Sequence, residues 1–267
     1  MRAGANHRAG ARRLSFAQSR SNQAMRFSLA ILALAAALAP AWRAPAAPAL
    51  VLWAWERPED LSSAPASVEV AAVEGFVELS GDRIWARGRR FPLVTAPGAR
   101  RIAVVHVQID TSQALVWTPA LRARTASAVL AYATRPRFAA VQIDFEVPAS
   151  DRQVLLALAH DVRAGLPPGT PLSMNALASW CETEDWLAAA PVDEIVPMVF
   201  RLGAGGAKLK AKIEAGGDFA DPRCRSAIGI ATDTPLSNYP RDRRVYVFNP
   251  RSWTPATIAG AVKDFNP

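Results

Sequence analysis

From Leu50 onward the sequence alternates between short apolar runs and stretches patterned for helix, and few folds accept that alternation. A strand buried on both faces reads as such a run, and pairing it with a parallel neighbour requires a crossover segment between the two. Eight runs qualify, at 50–55, 68–79, 101–110, 139–147, 171–180, 194–200, 225–232 and 244–249. Helical patterns fall at 119–132, 150–165, 182–190, 207–214 and 254–264, and residues 84–94 are read as an added hairpin. The helix starting at Ser150 carries Gln153 three residues on, a capping-box spacing, with Val154, Leu155, Leu158 and Val162 on one face. The expected fold class is α/β: a (β/α)8 TIM barrel in one domain over 47–267, with some helices trimmed because their connections are short. A doubly wound open sheet is the alternative.

Charge belongs to the segment before this domain. The first 46 residues hold seven Arg and no Lys, Asp or Glu, and the remainder is nearly balanced although the whole chain carries +8. The basic excess is therefore no nucleic-acid signal. Met25-Arg26, an apolar run over 29–38, Pro40 and then Ala44-Pro45-Ala46 follow the order of a secretory signal peptide. Residues 1–46 are read as a leader with cleavage before Ala47, and Met25 stands as an alternative start. A periplasmic or secreted protein with no stable membrane anchor after cleavage is expected. Cys181 follows the fifth run and Cys224 precedes the seventh. Opposite barrel ends lie roughly 23 Å apart for a seven-residue strand, so two free thiols are expected.

Side chains alternate across a strand, which puts Val141, Ile143 and Phe145 on one face and Gln142, Asp144 and Glu146 on the other. The preceding run repeats the pattern, with His106, Gln108 and Asp110 opposite Val105, Val107 and Ile109. Barrel interiors are usually filled with Val, Ile and Leu, so two polar inward faces in succession point to a site. Adjacent strands in register bring Asp110, Asp144 and Glu146 together at one rim, where mutual repulsion raises at least one carboxyl pKa. Trp55, Trp180 and Trp253 fall near the carboxyl ends of runs one, five and eight, where indole faces suit pyranose rings.

Ile143-Asp144-Phe145-Glu146 resembles the end of the D-G-x-D-x-D-x-E strand of family-18 glycoside hydrolases, the chitinase-like barrels. Gln142 and Ala139 stand where the first two acidic positions of that motif fall. Residues 141–147 and Pro171-Leu-Ser-Met-Asn-Ala-Leu-Ala-Ser-Trp180 resemble more closely an uncharacterised bacterial secreted family with a glycoside-hydrolase-like barrel, over most of 50–250. The resemblance implies Glu146 as general acid and Asp144 as the residue orienting the substrate, and the strand adjacency adds Asp110 as a second charge. Gln108, Gln142, Asn175, Trp55, Trp180 and Trp253 are expected as substrate-binding residues. Two departures stand out: Met198-Val199-Phe200-Arg201 replaces the family's Met-x-Tyr-Asp, and Val107-Gln108-Ile109-Asp110 replaces its Gly-Gly element.

No metal or cofactor is expected: past the leader only His106 and His160 remain, and neither a G-x-S-x-G elbow nor a P-loop occurs. Gly203-Ala-Gly205-Gly206-Ala-Lys208 reads as a helix-entry loop. The functional expectation is an exported glycoside-hydrolase-like protein acting on an envelope or extracellular polysaccharide. The alternatives are a non-catalytic carbohydrate-binding barrel and an envelope scaffold.

Overall fold

The computed structural model describes residues 49–135 and 137–266, and the expected leader and cleavage site lie outside them. The strands are β1 (Leu50–Ala54), β2 (Glu59–Leu61), β3 (Glu69–Ser80), β4 (Arg83–Gly88), β5 (Leu93–Thr95), β6 (Arg101–Ile109), β7 (Ala140–Asp144), β8 (Leu172–Leu177), β9 (Glu194–Met198), β10 (Ala227–Ala231) and β11 (Arg244–Phe248). The helices are α1 (Pro119–Ala133), α2 (Arg152–Gly165), α3 (Trp180–Thr183), α4 (Gly206–Glu214) and α5 (Pro255–Phe265). All eight expected runs are strands of one parallel sheet in the order β1-β11-β10-β9-β8-β7-β6-β3. Pairing of β1 with β3 closes it, which excludes the open doubly wound alternative.

Two hydrophobic sets hold the barrel. Inside lie Val51, Trp53, Ala71, Val73, Ile102, Val104, Val196, Tyr246 and Phe248, and outside the opposite strand faces meet the helices. α2 buries Val154, Leu155, Leu158 and Val162 as its periodicity predicts, each contributing roughly 1.5–3 kcal/mol. Its expected capping box does not form. Ala149–Asp151 close a 3-10 turn that holds Ser150, and the helix starts at Arg152 with no side-chain cap. α1 and α5 are capped instead by Thr118 and by the Thr254/Thr257 pair, each followed by Pro at the first helical position.

The trimming is local. β1 and β3 are joined through β2, β3 and β6 through β4 and β5, and β10 and β11 by irregular chain. The helix expected over 182–190 is reduced to the single turn α3 and a 3-10 turn at Trp186–Ala189. Trp180, Cys181 and Leu187 are all buried, so this crossover is pinned against the wall.

The thiol expectation fails at that crossover, because Cys181 and Cys224 form a disulfide with Cα atoms 6.0 Å apart. Both the chain leaving β8 and the chain approaching β10 pack back along the outer wall and meet beside it. The Asp221 amide donates to Cys181 O, and Arg223 donates to Leu187, Ala190 and Val192 carbonyls. Distance between strand ends was the wrong measure for residues lying in connections.

β3 carries a bulge: Val73 pairs with Val104, and Gly75, two residues on, pairs with Val105. The extra residue switches the parity of the strand, so Ala71 and Val73 face inward below it and Phe76 and Glu78 take that face above it. Gly75 is required, since a Cβ there would lie 2.5 Å from the Tyr132 ring of α1. Above the bulge, β3 pairs with β4 as the expected hairpin.

Candidate active site

The amino end of the barrel is sealed by charge. Arg244, the first residue of β11, donates to Glu69 Oε2 at 2.9 Å and pairs with Glu194 at 3.0 Å. Tyr246 donates to Glu194 Oε2 at 2.6 Å. Burial raises the Glu194 carboxyl above its ordinary value despite Arg244. These groups begin β3, β9 and β11, which is the end where such barrels keep stability rather than chemistry.

The next layer is polar on one side only. Trp53 Nε1 donates to Gln142 Oε1 at 2.9 Å, both fully buried. Gln142 Nε2 here, and Asn175 Oδ1 one level above, are buried without a protein partner, at a cost of about 1–3 kcal/mol each that aliphatic side chains would avoid.

Above it the register sets His106 of β6 level with Asp144 of β7. His106 Nδ1 donates to Asp144 Oδ2 at 2.8 Å, and Asn175 Nδ2 of β8 donates to Asp144 Oδ1 at 3.0 Å. Three neighbouring strands thus clamp a carboxylate that is 5% exposed. Desolvation alone would lower the His106 pKa, but the bond and charge of Asp144 outweigh it and raise it. Glu146, just past the end of β7, reaches solvent from within a concave mouth. Desolvation by the walls, then the charge of Asp144, raises its carboxyl above the usual range, with His106 pulling the other way.

This group opens into a cavity of about 810 Å³ at the carboxyl ends of the strands. Its far wall is aromatic. Phe248 of β11 stacks on Trp53 at 4.9 Å, Trp55 meets Trp53 edge-on at 4.4 Å, and Phe200 leans on Phe248 at 4.7 Å. In strand order β11 lies diametrically across from β7, so this wall faces Asp144. The loop after β9 completes the rim, with Arg201 in the left-handed region at φ 49°, a strained conformation for a side chain of its size. Lys212 holds Glu182, the other carboxylate on the lining, at 2.9 Å.

Among the residues expected at the site, Asp144, Glu146, Asn175 and Trp55 line the cavity, and Gln142 supports it from below. Asp110 does not join them. The β6–β7 pairing ends at His106 and Asp144, and Asp110 lies four residues further, roughly 13 Å along the strand. There it accepts from Ser80 and from the amide and hydroxyl of Ser112, and the Ser112 and Ser80 bonds hold its carboxyl below its ordinary value. Gln108 donates to Glu78 on the hairpin side. Trp180 is buried on the outer wall, under Arg152 at 4.4 Å and against Trp186. Trp253 is buried too, its Nε1 donating to Trp53 O and its amide to Glu59. Neither indole presents a face to the cavity. His106, on the inward polar face of β6, is the partner of Asp144, and the sequence gives no sign of Phe200 and Phe248 in the far wall because apolar strand ends look like ordinary core.

The fold and the cleft define a parallel (β/α)8-type barrel with a clamped carboxylate and an open one at the carboxyl ends of its strands. No family model and no curated protein matches the chain. A Streptomyces coelicolor protein of solved structure, provisionally named chitinase A, aligns with 82% of this chain and 97% of its own. The TM-score is 0.49 and the identity 12%, a likeness that says nothing about which side chains act. Among the described residues no helix is long and apolar enough to cross a membrane.

Proposed function

We propose that this protein is an exported glycoside hydrolase of envelope or extracellular polysaccharide, with Glu146 as general acid and Asp144 as the positioning carboxylate. The observation that carries the reading is the division of labour between two carboxylates on one strand. Asp144 is fully engaged by His106 and Asn175, whereas Glu146 is open to the cavity with its pKa raised, the state a proton donor to a glycosidic oxygen requires. The aromatic wall opposite suits the apolar faces of sugar rings. Export fits the Cys181–Cys224 disulfide, since such bonds persist in oxidising compartments. Cleavage before Ala47 belongs to the same proposal, and amino-terminal sequencing of the exported protein tests it.

Phe200 and Arg201 favour a second reading, a non-catalytic carbohydrate-binding barrel, because they stand where the resembled hydrolases carry a phenol and a carboxylate. A glycan-array screen followed by product analysis on each hit separates the two. In a hydrolase, Glu146→Gln cuts turnover by roughly 10²–10⁴ and keeps glycan binding. A binding barrel yields no product from the wild type or the variant.

A further inference from the structure

We infer that the β3–β4 hairpin carries a second sugar subsite, adjoining the first cavity at His106 and built on the exposed indole of Trp85. The inference rests on the carbohydrate reading above and adds the length of chain recognised. A separate cavity of about 390 Å³ lies on the face shared by β4, β3 and β6, within the size range of small-molecule sites. Two cross-strand rows form its floor. Arg87, Phe76 and His106 are partners in one, and Trp85, Glu78 and Gln108 in the other. Because the bulge before Gly75 reverses the parity of β3, this floor continues the inward face of the barrel onto the hairpin.

His106 lines both cavities, and the first row runs on through it to Asp144. A ligand spanning the two cavities therefore passes His106, the residue that clamps Asp144. Trp85 is 74% exposed on an edge strand, where core packing gives no reason for an indole. The Arg87 guanidinium sits 4.1 Å from the Phe76 ring centroid and is held there by Glu56. The Glu78–Gln108 pair shares a cross-strand row with the indole and offers both donors and acceptors to a ligand. A stacking face flanked by a fixed polar pair is the chemistry that holds a pyranose unit, and an extended glycan is the ligand class that fills both cavities at once.

The test uses the barrel with its disulfide intact and β-1,4-linked N-acetylglucosamine and glucose oligomers of two and six units, with affinity read by calorimetry. Trp85→Ala is expected to weaken hexamer binding about three- to tenfold and leave dimer binding unchanged, with Trp85→Phe restoring most of the loss. Hexamer is also expected to protect Trp85 from indole oxidation, read by peptide mass spectrometry, while dimer does not. Hexamer binding indifferent to Trp85→Ala, or without protection, overturns the subsite and leaves the parent reading standing. Failure of the wild type to bind either series at either length overturns the subsite as proposed, and failure to bind any glycan on the array overturns the parent reading as well.

Discussion

His106 Nδ1 and Asp144 Oδ2 lie 2.8 Å apart across the β6–β7 pair, and this contact divides the roles of the two carboxylates that share β7 and its exit. Asp144 has its oxygens engaged from both sides, by imidazole and by the Asn175 amide. Glu146, two residues on, has no side-chain partner and meets the charge of Asp144 instead. One carboxylate is therefore held, and the other stands open to the cavity with its pKa raised.

Replacing Asp144 by Asn removes the nearest negative charge from Glu146, and the Glu146 pKa is expected to fall toward its ordinary value. Only part of the shift goes, because desolvation is its larger cause. Carboxyl-carbon NMR titration of wild type against variant measures the change. An unaltered Glu146 titration would sink the electrostatic account of the site.

Glu146→Gln is expected to cost activity and gain stability. A carboxyl whose pKa is raised on folding binds its proton more tightly in the native state, so wild-type stability falls as pH rises from the unfolded value, about 4.3, through the folded one. The variant lacks this dependence. Its advantage in thermal midpoint should be absent below that window and present at neutral pH, while turnover drops by roughly 10²–10⁴. Melting curves at acid and neutral pH, with product assays, check both halves.

Arg244→Met leaves Glu69 and Glu194 buried at the amino end of the barrel without their shared cation. Breaking one side of a buried network costs about 3–5 kcal/mol, and urea unfolding should show a loss of that size. A change below 1 kcal/mol would mean that water reaches this end of the barrel.

The disulfide joins residues 43 apart, for which chain entropy predicts about 3–4 kcal/mol of stabilisation. Cys181→Ala with Cys224→Ala should unfold at correspondingly lower denaturant, and adding reductant to the double variant should change nothing further. Free thiols in the non-reduced wild type would contradict the packing of both connections.

Much of the barrel was legible in order, because a parallel strand and its crossover leave local signatures: a continuous apolar run, then a 3.6-residue period. The shared face of Gln142, Asp144 and Glu146 was legible for the same reason, since alternation is a property of one strand. Helix capping was less so, because Ser150 was absorbed into a 3-10 turn that competes for the same residues.

What tertiary structure decided was every relation between strands and connections. Register set His106, rather than Asp110, beside Asp144, because β6 and β7 stop pairing at that level while β6 goes on with β3. A single bulge turned Phe76 onto the face of the cleft, and position 75 must be glycine because Tyr132 of α1 occupies the space a Cβ would take. The path of two connections along the outer wall brought Cys181 to Cys224. Parity and periodicity are written residue by residue. Register, bulges and the folding-back of connections depend on side chains that meet from distant segments, so they emerge only when the barrel closes.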